Sequence, residues 1–144
     1  MCRTFARFDF ILVARGDGPL ISDRTLGELV ERHRSAGVGA RVLVAELEDP
    51  SGLGRVVEDA GVVKIVEERD ATESERRIRL VNLGIYAFRL SEIRDTIGGL
   101  TSENRGGELY LTDVLETIGR RSGAVTYRLK NPEEANLVND RSQL

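Results

Sequence analysis

The sequence predicts an α/β fold with a β-hairpin inserted into the sheet, because predicted strands alternate with predicted helices along the chain. An apolar run over residues 10–14 is followed closely by a Gly-Asp-Gly-Pro turn at residues 16–19, which is typical of a buried strand that ends in a turn. Two β-type segments, residues 54–57 and 62–67, flank an Asp-Ala-Gly turn and predict the hairpin.

The first predicted strand, residues 10–14, is apolar at both odd and even positions. This pattern predicts a strand that is buried on both faces of a parallel sheet. In open α/β sheets, ligands bind just beyond the carboxyl ends of the strands. Asp17 occupies such a position, so it is a candidate metal ligand or a contact on the phosphate side of a substrate. The alternative interpretation is an ordinary turn after a strand.

The first predicted helix has clear signals at both ends. Ser22 is a favourable N-cap, Asp23 suits the positive end of the helix, and Gly37 ends it. Apolar residues between these ends form one stripe. His33 lies near the edge of that stripe without a second ligand-type residue beside it, so the sequence predicts a position on the helix surface.

The remaining elements are predicted from the same local signals. In chain order they are a strand over residues 41–48, the hairpin, a loop or short helix over 72–79, a strand over 79–88 interrupted by Gly84, a helix capped by Ser91 that extends to Leu100, a polar loop over 101–107, a helix over 108–121, and a strand over 124–130 that stops at Asn131 and Pro132.

The composition excludes several classes of protein. A net charge of -3 and a pI near 5.3 argue against a nucleic-acid-binding protein, which would carry a basic surface. Neither a membrane-spanning run nor a secretory signal is present in the sequence, so no membrane partner is expected and a cytoplasmic location is predicted. A single cysteine and a single histidine exclude a zinc finger or an iron–sulfur cluster, so a metal site would need oxygen ligands.

The common catalytic motifs are absent. No Ser-His-Asp triad can be proposed, and the sequence contains neither a Walker-A loop nor a G-x-G-x-x-G fingerprint. The group of interest instead consists of carboxylates and amides near predicted strand ends or loops: Asp17, Glu67, Asn82 and Asn139. Alternative interpretations are that Glu67 belongs to a solvated charge run and that Asn82 points outward or caps a turn.

Six segments carry a resemblance to a known family. In chain order, from about Phe8 to Leu144, they are ILVARGDGPLIS, LEDPSGLGRVV, KIVEERDAT, VNLGIYAF, GGELYLTDV and LVNDRSQL. Together they resemble the later part of the uridylyltransferase domain of bacterial N-acetylglucosamine-1-phosphate uridylyltransferases, bifunctional enzymes that also carry an acetyltransferase domain.

The resemblance implies a fold and a reaction. The fold would be a partial Rossmann-like nucleotidyltransferase, an α/β/α sandwich with a mixed sheet and a hairpin insertion, with residues 1–144 as one partial domain. Family members use Mg²⁺ to join N-acetylglucosamine 1-phosphate to UTP, forming UDP-N-acetylglucosamine and pyrophosphate for cell-wall precursor synthesis.

The resemblance also implies roles for individual residues. Asp17 and Asn139 match the family's two metal ligands. Arg15 and Gly16 fall where the family contacts the nucleotide, whereas the remaining three positions fall where it holds the sugar: Gly54, Glu67 and Asn82. The expected ligands are therefore UDP-N-acetylglucosamine or a sugar phosphate, together with Mg²⁺.

The chain departs from the family's pattern at several points. The Gly-rich loop LAAGxGTRMxSxxPK, which carries the family's catalytic basic residues, has no counterpart here, so no catalytic residue is assigned. Smaller departures occur at Arg15, Gly18, Leu53 and Leu83. We therefore expect that the nucleotide-binding half is missing, that the chain is inactive alone, and that a complementing chain would have to supply that half.

Three functions remain open at this point. The first is a nucleotidyltransferase fragment whose ancestral reaction is UDP-N-acetylglucosamine synthesis. The second is a non-catalytic α/β module that binds a sugar phosphate or a protein. The third is a different sugar nucleotidyltransferase, such as a thymidylyl- or guanylyltransferase, although the VEExDAT and GExYLTD elements weigh against it.

Overall fold

A computed structural model describes residues 9–15, 21–98 and 110–136. The described elements, in chain order, are β1 (Phe10–Ala14), α1 (Asp23–Ala36), β2 (Ala40–Glu46), β3 (Arg55–Asp59), β4 (Val62–Val66), α2 (Glu73–Arg76), β5 (Leu80–Arg89), α3 (Leu90–Ile97), α4 (Leu111–Ser122), β6 (Ala124–Arg128) and α5 (Pro132–Asn136).

The strands form one mixed sheet. Its order is β4-β3-β5-β2-β6, and β1 pairs with β5 outside this path. Among the described strands, only β2 and β6 pair parallel, whereas the pairings of β5 with β1, β2 and β3 are antiparallel. The long strand β5 therefore connects the hairpin, β1 and the parallel pair, and its two ends reach different parts of the molecule.

The core lies on both faces of the sheet. Alternate residues of β2 point to opposite sides, as a strand requires. Val42 and Val44 join a cluster that contains Leu115 and Ile118 of α4. Leu43 and Ala45 join a second cluster, which contains Leu29 of α1. The fold is thus an α/β/α arrangement with a mixed sheet and an inserted hairpin, as predicted.

The end signals of α1 are confirmed. The hydroxyl of Ser22 accepts a hydrogen bond from the Thr25 amide, and Gly37 adopts the left-handed conformation with φ of 66°. The hairpin prediction is also confirmed, because β3 and β4 pair antiparallel around the turn. The segment over residues 72–79, predicted to be a loop or short helix, contains the single-turn helix α2, which begins with a capping box between Thr72 and Glu75.

The prediction for β1 was wrong. This strand pairs antiparallel with β5, and Ile11 and Leu12 are 38% and 36% exposed. The run is apolar at both odd and even positions, yet β5 is its only partner among the described residues. The pattern of apolar residues shows how polar each face of a strand is, but it does not show which neighbouring strands and helices cover those faces. The error arose for this reason.

The prediction that His33 lies on the helix surface was also wrong. His33 is only 4% exposed. It lies on the same face of α1 as Leu29, one helical turn earlier, and both are buried.

Two helices begin at other residues than predicted, and one further helix was not predicted. Helix α3 begins at Leu90, one residue before Ser91, because the Leu90 amide donates to the Asp9 carbonyl at 3.0 Å and needs no side-chain cap. Helix α4 begins at Leu111 rather than at residue 108, and a short helix, α5, follows Asn131. Residues 99–109, which include the predicted polar loop and Leu100, lie outside the described residues.

Across the described residues, no helix combines the length and the apolar character that a membrane span requires.

Gly39, in the loop before β2, lies close against α4, and a substitution at this position tests how tightly the two pack. A Cβ at Gly39 would lie 2.5 Å from Cγ2 of Ile118 and closer still to Oγ of Ser122. We expect Gly39→Ala to lower the free energy of unfolding by about 1–3 kcal/mol, because α4 would have to move. Urea denaturation followed by circular dichroism measures this change.

The matched control is Gly27→Ala in α1. A Cβ at Gly27 would have no heavy atom within 4 Å, so the substitution only restricts the backbone within a helix. It should raise stability by about 0.5–1 kcal/mol. Equal effects of the two substitutions would contradict the packing argument.

Candidate functional site

An irregularity in β5 shapes the candidate site. The pairing of β2 with β5 jumps between Val42, which faces Tyr86, and Val44, which faces Asn82. Gly84 lies in the additional stretch of β5 and has φ of 74°. The structure therefore has a bulge where the sequence predicted an interruption, and such bulges redirect side chains next to functional sites.

Asn82 lies beside this bulge and is hydrogen-bonded on both sides of its amide. Its Oδ1 accepts from the Gly84 amide at 2.8 Å, and its Nδ2 donates to the Tyr86 hydroxyl at 2.6 Å. Burial raises the pKa of Tyr86 to about 12, so this hydroxyl stays protonated. Asn82 therefore does not point freely outward, and its side chain is held in a fixed orientation.

The hairpin brings Gly54 against this strand. The backbone amide of Asn82 donates to the Gly54 carbonyl at 2.9 Å. A Cβ at position 54 would lie 2.8 Å from Cγ2 of Ile65 and 3.4 Å from Oε2 of Glu67. The space beside Gly54 is thus limited first by the Ile65 side chain and then by the Glu67 carboxylate, and any larger residue would have to displace Ile65.

Glu67 follows β4 and turns back toward the sheet. Its carbonyl accepts from the amides of Asp70 and Ala71, at 2.9 and 3.0 Å. Burial raises the pKa of the Glu67 carboxyl above its usual value, whereas the positive charges of Arg15 and Arg69 oppose that shift. The expectation that Glu67 belongs to a fully solvated charge run is therefore not supported, because its carboxyl is partly withdrawn from water.

Arg15 approaches the same place from the end of β1. Its amide donates to the Gly84 carbonyl at 3.2 Å. A Cβ on Gly84 would lie 2.9 Å from Cγ of Arg15, so the stem of this arginine covers the glycine. The bulge, with its positive φ, is what permits this close passage.

An ion pair between a buried arginine and a partly exposed glutamate supports the hairpin side of the site. The Arg55 guanidinium lies 2.7 Å from Oε2 of Glu68, and Arg55 is only 2% exposed. Arg55 also donates to the carbonyls of Leu53 and Arg76. Oε2 of Glu68 additionally accepts from the Gly52 amide at 3.3 Å. These contacts tie the loop that contains Gly54 to the segment that contains Glu67.

A cavity of about 300 Å³ opens next to Glu67 and is also lined by Glu68, Arg69 and Tyr110. The Arg69 guanidinium lies 5.2 Å from the centre of the Tyr110 ring. The Tyr110 hydroxyl is buried and has no hydrogen-bond partner among the described residues. Arg69 and Tyr110 were not among the predicted site residues, although both lie in segments that carried the family resemblance.

The structure thus brings together Arg15, Gly54, Glu67 and Asn82. The other three predicted site residues, Gly16, Asp17 and Asn139, lie outside the described residues. Within residues 9–15, 21–98 and 110–136, no three His, Cys, Asp or Glu side chains form a group that could hold a metal ion. The described part of the site offers a carboxylate, an amide and backbone groups, which suit the recognition of hydroxyl and amide groups.

Comparison with known sequences identifies close relatives. No family model matches the chain. The chain is 78% identical over 134 residues to the bifunctional protein GlmU of Rubrobacter xylanophilus, an alignment that covers 93% of this chain and 29% of the relative. It is 46% identical to the corresponding protein of Pelotomaculum thermopropionicum, again over 93% of this chain and 30% of the relative. The chain therefore spans about 30% of the length of these curated relatives.

Comparison with solved structures supports the fold. A Bacillus anthracis protein, provisionally assigned as a glucose-1-phosphate thymidylyltransferase, matches with a TM-score of 0.66 and 22% identity, over 91% of this chain and 53% of that one. A UDP-glucose pyrophosphorylase complexed with UDP-glucose matches with a TM-score of 0.62 and 18% identity, over 83% and 48%. Together the comparisons confirm the resemblance and the α/β nucleotidyltransferase fold.

Proposed function

Since the chain is closely similar to one part of the GlmU proteins, we propose that it forms the sugar-side half of a nucleotidyltransferase domain. The reaction of the complete domain joins N-acetylglucosamine 1-phosphate to UTP and releases pyrophosphate. Residues 1–144 would form a single partial domain in this proposal. The observation that carries it is the convergence of Gly54, Glu67 and Asn82 at one place, between the hairpin and β5.

Each of these three residues has a role that its surroundings support. The absence of a side chain at Gly54 lets Ile65 and Glu67 pack closely against this loop, which holds the Glu67 carboxylate beside the sugar site. Glu67 accepts hydrogen bonds from sugar hydroxyls. The Asn82 side chain is held by the Tyr86 hydroxyl and the Gly84 amide, and its backbone amide donates to the Gly54 carbonyl, which joins the loop that contains Gly54 to β5. The contribution of this half is binding and orientation.

We assign the phosphate side of the site to Arg15, Gly16, Asp17 and Asn139. Asp17 offers a carboxylate and Asn139 an amide oxygen. Both are hard oxygen donors of the kind that Mg²⁺ prefers. The ion, when bound, offsets the negative charge that develops on the α-phosphate. Arg15 is the one phosphate-side residue in the described part, and its position beside Glu67 suits a bridge between sugar and phosphate.

We expect UDP-N-acetylglucosamine to bind the chain in the presence of Mg²⁺, and Glu67→Gln to weaken this binding about 10- to 100-fold. The loss of a charge-assisted hydrogen bond in a partly buried site explains this range. Asp17→Ala and Asn139→Ala should abolish the Mg²⁺-dependent part of the binding. Isothermal titration calorimetry measures each affinity.

The matched control is Glu73→Gln, since the Glu73 side chain is 88% exposed on α2. It should leave the affinity unchanged. Titration with UDP-glucose, which lacks the acetamido group, separates this proposal from a different sugar nucleotidyltransferase. If the folded chain binds no sugar nucleotide at all, the proposed sugar site is wrong, and a non-catalytic protein-binding module becomes the better interpretation.

We also expect the purified chain to form no UDP-N-acetylglucosamine from UTP and the sugar phosphate by itself. Arg15 is the one basic residue assigned to the phosphate side, and a single arginine does not neutralise a triphosphate, which in this proposal requires further basic groups from a complementing chain. A coupled pyrophosphate assay measures the rate, with a full-length GlmU protein as the positive control. Turnover at an enzyme-like rate by the chain alone would contradict the expectation.

A further inference from the structure

A larger cavity lies at the other end of β5 from Asn82. Its volume is about 670 Å³, and it opens where β1 and α3 begin and the last turn of α1 ends. Asn82 and Arg89 lie near opposite ends of β5, and a rise of about 3.3 Å per residue separates them by roughly 20 Å. This cavity, which we call the α1–α3 cavity, is therefore separate from the sugar-side site.

The α1–α3 cavity carries an excess of positive charge. Arg34, Arg89 and Arg94 line it, and Asp9 is its only acidic lining residue among those described. The Arg34 guanidinium lies 3.4 Å from the exposed Glu31 carboxylate. The guanidinium groups of Arg89 and Arg94 make no hydrogen bond or ion pair with the described residues. Two arginine side chains at the cavity are thus available to an anion.

A buried imidazole forms part of the same lining. His33 is 4% exposed, and its Nδ1 atom has no hydrogen-bond partner among the described residues. An unpartnered buried polar atom in a native structure calls for an explanation, and a ligand is one. Burial lowers the pKa of His33 to about 4, and the positive charges of Arg41 and Arg89 add to this shift. An anion in the cavity would offset the positive charge of the arginines around this ring.

We propose that the α1–α3 cavity binds a small phosphorylated sugar, with Arg89 and Arg94 holding the phosphate and His33 as the buried polar contact. Arginine forks match phosphate oxygens, and Ser91 places the first turn of α3 at the same cavity, where backbone amides favour an anion. Asp9 can accept hydrogen bonds from hydroxyl groups, which favours a phosphorylated sugar over bare phosphate. The volume lies within the usual range of small-molecule sites. This inference does not depend on the proposed function.

The single histidine of the chain makes the test direct. The ring carbon–proton signals of His33 can be assigned without ambiguity in a ¹H–¹³C NMR spectrum. Glucose 6-phosphate should shift these signals along a saturable curve, inorganic phosphate should do so more weakly, and glucose should leave them unchanged. Arg94→Gln should weaken glucose 6-phosphate binding about tenfold or more, and Arg89→Gln should do the same.

The matched control is Arg120→Gln, because Arg120 lies on α4 and pairs with Glu116 away from the cavity. It should leave the titration unchanged. Arg94 is exposed on α3, so Arg94→Gln should fold normally and is the deciding variant. The proposal is overturned if folded wild-type protein shows no saturable shift of His33, or if Arg94→Gln binds as tightly as the wild type.

Discussion

Glu68→Ala is expected to lower the free energy of unfolding by about 2–3 kcal/mol, because it leaves the buried Arg55 guanidinium without its ionic partner, while the Glu68 side chain is itself 37% exposed, so that water can reach the site. Arg55 is 2% exposed, and its guanidinium lies 2.7 Å from the Glu68 carboxylate. Without Glu68, only the carbonyls of Leu53 and Arg76 would remain as its hydrogen-bond acceptors. Urea denaturation, followed by circular dichroism, measures the change.

A second ion pair provides a matched control for this substitution. Glu73 and Arg77 also lie 2.7 Å apart, but both side chains are largely exposed. Glu73→Ala should therefore cost less than about 1 kcal/mol. The double variant Arg55→Met/Glu68→Ala should recover much of the loss, since it removes both charges. Similar costs for Glu68→Ala and Glu73→Ala would show that burial of Arg55 does not govern the interaction.

Lowering the pH from 7.5 to 5 should remove about 2 kcal/mol of stability through His33. Burial, with Arg41 and Arg89 nearby, lowers the pKa of His33 from 6.5 to about 4 in the folded protein. Between these two values the unfolded chain binds a proton at this position and the folded chain does not, so acid favours unfolding. Above pH 6.5 the effect is absent, and below about pH 4 it is complete.

Other charged groups near His33 are Arg34, Arg94 and Asp9, which line the same cavity. The measurement is the free energy of unfolding at several pH values for wild type and for His33→Gln. The variant should lose the His33 part of the pH slope. The raised pKa of Glu67 acts in the opposite direction but equally in both proteins, so it cancels in the comparison. An unchanged slope in His33→Gln would refute the assignment.

Sequence signals that act over a few residues, such as helix caps, correctly predicted the elements that depend on them. Ser22 and Gly37 mark the ends of α1 because a capping hydroxyl and a left-handed glycine act within a few residues of the chain. Errors arose where a distant partner decides the outcome. The amide of Leu90 is satisfied by Asp9, so α3 begins before Ser91.

The candidate site was predicted only in part, and for a comparable reason. The family motifs pointed to Gly54, Glu67 and Asn82, and the structure places these residues together. Chain order alone could not show that β5 carries a bulge, which sets the position of Asn82 beside Gly84. Arg69 and Tyr110 were missed because their contact joins two segments that are far apart in the sequence.

The position of β1 has a consequence for the order in which the protein assembles during synthesis. Phe10–Ala14 leaves the ribosome well before its partner in the sheet, β5, which begins only at Leu80. Until β5 has emerged, the apolar side chains of β1 have no strand to pair with in the described fold. The hairpin and α1, by contrast, rely on contacts close in sequence and can form sooner. We therefore expect β1 to join the sheet late, and a nascent chain that stops before β5 would be a substrate for chaperones.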